Sequence, residues 1–221
     1  MGWHHLELTA ERLSRWWGRF HAEHPEVHRH LENGAVVLTS SDGTVARFTG
    51  WHPVHAASSD DDARAQLTAV PHEIAIILLR RGGYAIGRAG AEEDGRRVVR
   101  AHKSGTRYVQ SRTAAGGWSQ QRFARRRENQ AEGLVRAAAD QAVRILAPFL
   151  TELTTPAGRA DVGLAIGGDA FLLDGVLDDP RLIQLRELPR REYPDVPDPR
   201  FKVLQDVVRR TQLVDLAVHN P

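Results

Sequence analysis

The longest uninterrupted apolar run in the chain is Ile74–Leu79, inside the segment Glu73–Arg80. A short isoleucine- and leucine-rich run after a proline predicts a strand buried on both faces. Gly82-Gly83 then turns the chain into a second strand, Tyr84–Ala89, and Asp94-Gly95 turns it into a third, Arg96–His102. Gly105 is expected to break the third strand, with Arg107–Gln110 as a continuation. Ser111–Gln121 is polar and contains glycines, which predicts a loop. From Arg122 to Leu153 the apolar points Phe123, Leu134, Val135, Ala138, Val143, Leu146 and Leu150 predict a long amphipathic helix, with Gly133 and Pro148 as sites of bending. Val162–Ile166 reads as a strand ended by Gly167-Gly168-Asp169, and Ala170–Leu177 as an apolar helix. Ile183–Leu188 reads as the last strand, and Phe201–His219 as a terminal helix with Val203, Val207, Leu213 and Leu216 on one side.

The order β-β-β-α-β-α-β-α predicts an α/β (α+β) fold of ribonuclease-H-like layout, a mixed sheet with a meander and flanking helices. Before it, residues 9–30 read as a helix capped by Thr9, with Leu13, Trp16, Trp17 and Phe20 at helical spacing and Pro25 as its stop. Ala35–Leu38 and Val45–Thr49 flank Ser40-Ser41-Asp42-Gly43, the chemistry of a tight reversal, so a small hairpin is expected. Residues 55–69 read as a polar connection with a helix start. The expected organisation is therefore a helix and β-hairpin module over residues 1–57 and a second domain over residues 70–221.

Composition removes several function classes. The chain has no cysteine, which excludes disulfides, thiolate nucleophiles and every cysteine-based metal site. No apolar run approaches the roughly 20 residues of a membrane helix, and charged residues soon follow Met1, so neither a membrane partner nor a secretory signal is expected. A cytoplasmic protein is the expectation. His21, His24 and His28 straddle Pro25 without a set of partner ligands, so they read as surface histidines and no metal or other cofactor is expected.

Net charge is +2, yet its distribution is uneven. From Arg96 to Arg127 there are ten basic residues and no acidic one, while Glu92, Glu93 and Asp94 lie just before and Glu128 just after. Such a stretch fits phosphates, unless counter-charges arrive from elsewhere in the fold. A metal-dependent nuclease would place an aspartate in the first strand, but Ile74–Leu79 carries none. Asp161, Asp169 and Asp174 read as caps or turn residues. Gly82–Gly87 lacks the Lys-Ser/Thr ending of a phosphate loop. Ser104 and Ser119 are outside any Gly-x-Ser-x-Gly elbow.

The distinctive stretch is Gly116-Gly117-Trp118-Ser119-Gln120-Gln121-Arg122-Phe123-Ala124-Arg125-Arg126-Arg127. Its glycines allow a close backbone approach, and its arginines crowd the start of a predicted helix whose dipole opposes them. An anionic partner would resolve that conflict. The loop and helix resemble the Vms-like release factors of actinobacteria, relatives of the eukaryotic class-1 termination factor and of the peptidyl-tRNA hydrolases of ribosome quality control. The resemblance covers roughly Pro71 to Val218 and implies a release-factor catalytic-domain-like fold. It also implies hydrolysis of peptidyl-tRNA on stalled ribosomes or large subunits, with ribosomal RNA and peptidyl-tRNA as partners. By resemblance Gln120 is the catalytic glutamine and Gln121 its neighbouring competitor, because Trp118 and Ser119 separate the glycine pair from the amides. Gly116, Gly117 and Ser119 complete the loop, and Arg112, Arg122, Arg125, Arg126, Arg127 and Lys103 are the expected RNA contacts. The alternative is a non-catalytic RNA-binding or ribosome-associated module that keeps the fold and the basic stem.

Overall fold

Two five-stranded sheets organise the chain. The structure, a computed structural model, describes residues 2–92, 95–106, 119–153 and 161–221, and leaves out the side chains of 119–128 and 152. Along the chain lie β1 (His4–Leu8), α1 (Ala10–Glu23), β2 (His28–Glu32), β3 (Ala35–Thr39), β4 (Val45–Thr49) and α2 (Asp60–Thr68). They are followed by β5 (Glu73–Arg80), β6 (Gly83–Ala91), β7 (Arg97–Thr106), α3 (Ser119–Glu152) and β8 (Val162–Gly168). Last come α4 (Ala170–Leu177), a 3₁₀ turn (Ile183–Glu187), β9 (Arg190–Tyr193), α5 (Phe201–Arg210) and β10 (Val214–His219).

The first unit comprises the residues up to Val70 together with Arg209–Pro221. Its sheet, ordered β1-β10-β4-β3-β2, is antiparallel throughout. Leu13, Trp17 and Phe20 of α1 and Ala63 and Leu67 of α2 bury with Val36, Leu38, Phe48, Val214 and Leu216 of the sheet. Thr9 caps α1 by accepting from the Arg12 amide. Asp60, which opens α2, accepts from Trp17 Nε1 at 2.9 Å and Arg29 Nε at 2.8 Å, with His21 3.3 Å away. Burial pushes the Asp60 carboxyl up, but these donors and charges outweigh it and hold the group below its usual value. His24 pairs in the same way with Asp42 at 2.8 Å, so two of the three clustered histidines serve carboxylates on neighbouring elements.

Three expectations change here. The segment after Pro25 is the edge strand β2, because proline ends the helix and leaves His28–Glu32 free to pair with β3. The hairpin is part of a larger sheet. The terminal helix stops at Arg210, and β10 joins the first sheet between β1 and β4. In β10 Val214 and Leu216 face the core while Asp215 is exposed, a period of two that the helical reading absorbed. The partition therefore differs from the expected 1–57 and 70–221, since the last residues return to the first unit.

The second unit, Pro71–Val208, is a mixed sheet ordered β7-β6-β5-β8-β9. The meander β5-β6-β7 is antiparallel, and β8 and β9 run parallel to β5. This is the ribonuclease-H-like order expected from the sequence. One face of the sheet, through Ala75, Ile77, Leu79 and Ile86, packs on Leu134, Ala138, Ala142, Leu146 and Phe149 of α3 and on Leu172 and Val176 of α4. On the other face a Cβ at Gly87 would lie 2.7 Å from Leu204 Cδ1, so α5 rests directly on β6. The last strand of this sheet is Arg190–Tyr193 rather than Ile183–Leu188. The earlier segment coils into the 3₁₀ turn, burying Leu185, before Pro189.

Candidate functional site

The candidate loop lies between the end of β7 at Thr106 and the start of α3 at Ser119. Gly116, Gly117 and Arg112 lie outside the described residues. The backbone of Ser119, Gln120 and Gln121 forms the first turn of α3, so the helix starts three residues earlier than expected. Glutamine is a good helix former, which suits this extension. The side chains of these three residues, and of Arg122, Arg125, Arg126 and Arg127, lie outside the described residues.

The strand side of the loop has a defined root. Gly105 continues β7 instead of breaking it, opposite Tyr84 of β6. A Cβ at Gly105 would lie 2.5 Å from the Tyr84 ring, and one at Gly83 would lie 2.3 Å from the Gly105 carbonyl oxygen. Gly83 has φ +155°, at the limit of what L side chains adopt. The ring of Tyr84 thus occupies the place of a side chain at 105, which is why glycine sits in the strand. Tyr84 is itself buried with the core beneath α3. On the helix side, Ala131 and Leu134 of α3 pack onto that core. Sequence reasoning missed this root. Its signal is a glycine that falls opposite an aromatic residue once the strands are paired.

Among the described side chains of the basic stretch, the three arginines at its start have partners in the fold. Arg96 pairs with Glu92 at 3.0 Å. Arg97 donates to the carbonyls of His72 and Pro71 at 2.9 and 2.6 Å, and burial pushes its guanidinium below its usual value against the raising charges of Glu73 and Asp161. Arg100 binds Glu73 at 3.0 Å, and Arg88 approaches the same carboxylate at 4.0 Å. Partners within the fold, a local acid for Arg96, carbonyls for Arg97 and the distant Glu73 for Arg100, thus account for the first three arginines. Lys103 is exposed and makes no ion pair among the described residues.

The acids near the sheet have local duties. Asp161 accepts the His72 amide at 2.9 Å, tying the start of β8 to that of β5. Asp169 caps α4 through the Leu172 amide and lies 3.7 Å from Arg81. Asp174 lies 3.7 Å from Arg186. The described residues bring no three of His, Cys, Asp or Glu together in a metal-binding group.

The chain sets a long basic helix after a mixed sheet with this meander, and the class it falls in is that of a release factor. Residues 72–217 match the family model described as Actinobacteria/chloroflexi VLRF1 release factor, and the chain belongs to that family. Among solved structures, the one titled Vms1 mitochondrial localization core is similar at 10% identity and a TM-score of 0.46, over 81% of this chain and 75% of that one. An archaeal translation termination factor, aRF1, is similar at 14% identity and a TM-score of 0.32, over 72% of this chain and 43% of that one. A structure titled an archaeal protein is similar at 14% identity and 0.36, over 79% and 51%. No curated protein sequence matches.

Proposed function

We propose that the chain is a release-factor-type peptidyl-tRNA hydrolase, acting with the ribosome in the cytoplasm to free nascent peptide on stalled ribosomes or large subunits. The observation that carries this reading is the Gly116-Gly117-Trp118-Ser119-Gln120-Gln121 sequence of a release-factor family member, which follows an edge strand and runs into the first turn of a basic helix. A peptidyl-tRNA ester already lies beside a catalytic RNA centre, so the protein has mainly to admit and orient water. A neutral amide does that by hydrogen bonding, and no strong base is required. Water adds to the ester carbonyl, the bond to the ribose oxygen breaks, and that oxygen leaves with a proton. Charge developing on the carbonyl oxygen is met by a loop N–H. Gln120 is the orienting residue and Gln121 its competitor, Gly116 and Gly117 admit the backbone, and Ser119 links them. Arg112, Arg122, Arg125, Arg126, Arg127 and Lys103 hold RNA phosphates without reading sequence.

The two residues between the glycine pair and the glutamine favour a second reading, an RNA-binding module without catalysis. The experiment that separates them offers purified protein to stalled large subunits carrying labelled peptidyl-tRNA. Gln120→Ala is expected to lose about 10²–10⁴-fold in release rate while keeping ribosome binding. Loss in Gln121→Ala alone moves the register by one. Full activity in both variants, or no release by the wild type, sinks the glutamine mechanism.

A further inference from the structure

His102 and Phe201 form an exposed pair of stacked rings close to the loop root. Their centroids are 4.0 Å apart and the planes differ by 23°. His102 is exposed on β7, four residues before Thr106 and so about 13 Å along the strand from the point where the loop begins. Phe201 opens α5 and keeps 38% of its surface exposed. The pair exists because of a missing side chain. His102 lies opposite Gly87 in the sheet, and the bare Gly87 lets Leu204 settle on β6. That contact places Phe201, one helical turn earlier, over the neighbouring strand.

Two cations adjoin Phe201 in the chain. Arg200 and Lys202 flank Phe201 in sequence, both are exposed, and neither makes an ion pair among the described residues. Asp198, an acid close by in sequence, has a carboxylate oxygen 3.3 Å from where a Cβ of Gly82 would stand, so it is turned to the β5–β6 turn. An exposed aromatic face beside free cations suits a nucleobase stacked on the ring with its phosphates on the cations. Stacking of this kind is indifferent to base identity. It needs a base that is not enclosed in a duplex.

We propose that His102 and Phe201 are a stacking platform for an unpaired RNA base, with Arg200 and Lys202 on the adjoining phosphates. The platform rests on the reading of the chain as a release factor that engages RNA, and it adds a contact on the opposite face of the sheet from α3. If the pair were mere surface packing, any apolar side chain at position 201 would serve as well.

The test titrates the full chain against a single-stranded oligoribonucleotide carrying 2-aminopurine, and against purified large ribosomal subunits, at several salt concentrations. Phe201→Leu is expected to weaken oligonucleotide binding and ring quenching by about 5- to 100-fold at unchanged melting temperature, with Phe201→Trp restoring both. His102→Ala is expected to lose affinity in the same direction. Lys202→Gln is expected to lower the salt slope by about 0.7. Equal binding by Phe201→Leu, or a loss seen only with a matching loss of folding, overturns the platform. Release assays on the same variants keep the two proposals apart. Gln120-dependent release with binding indifferent to Phe201 removes the platform alone. Phe201-dependent binding without release by the wild type removes the hydrolase alone.

Discussion

Among the described residues of the basic stretch, the arginines at its start and the lysine that follows them are held differently. At its start Arg96, Arg97 and Arg100 are met by Glu92, by strand-end carbonyls and by Glu73, all within the second unit. Three positions after Arg100, Lys103 has no such partner among the described residues. The first set therefore holds the strands β5, β6 and β7 together at one end. Arginines that the fold itself neutralises say nothing about a partner. A charge run points to RNA only after these internal counter-charges are subtracted.

The comparison breaks most readily at Glu73, whose carboxylate serves Arg100 and Arg88 and is largely buried. Glu73→Gln leaves those guanidinium groups without a countercharge. A loss of about 3 kcal/mol is expected, the low end for breaking a buried pair because the arginines are partly exposed. Urea denaturation measures it, and RNA binding per folded molecule should not change. A neutral result would mean that the two ends of the stretch are alike. The next effect concerns Gly105, between the paired arginines and the loop. Gly105→Ala drives a methyl group into the Tyr84 ring, for about 1–3 kcal/mol of stability. Because the displaced segment leads into the loop, release per folded molecule should fall as well. Release that tracks the folded fraction alone would reduce Gly105 to a packing residue.

The meander and the strand after α3 were legible in the sequence for a physical reason. β5 is buried on both faces, so its apolar run is continuous, and its neighbours are set off by Gly82-Gly83 and Asp94-Gly95. The strands that were missed have weaker local signatures. β1 and β2 are edge strands rich in histidine, and pairing at distance rather than local pattern makes them strands. β10 was hidden because Val207, Leu213 and Leu216 also fit a helical spacing until the turn at Thr211 is seen. For the site, Gly-Gly and the amides were legible as residues because backbone freedom and hydrogen-bonding capacity are local properties. The Tyr84–Gly105 contact was not, since it depends on a register that only the paired sheet defines. Likewise the run of arginines was legible, but its division was not, because Glu73 lies 27 residues from Arg100.

The smallest expected effects belong to the helix end of the basic stretch, where Arg122, Arg125, Arg126 and Arg127 precede the first acid, Glu128. Positive charge in the first turns of α3 opposes the helix dipole. Single Arg→Gln changes are therefore expected to stabilise the fold slightly, by about 0.3–1 kcal/mol for the positions nearest Ser119. If these arginines hold phosphates, the same changes should weaken binding to large subunits and lower the salt slope of log K by about 1 each. The opposite signs for stability and binding separate this group from Arg100, whose replacement should reduce stability and spare binding. Titration of the four variants and Arg100→Gln at several salt concentrations, beside their melting curves, reads both quantities. Unchanged affinity and slope in all four would show that the helix arginines are solvated surface, and the division of the basic stretch would lose its functional half.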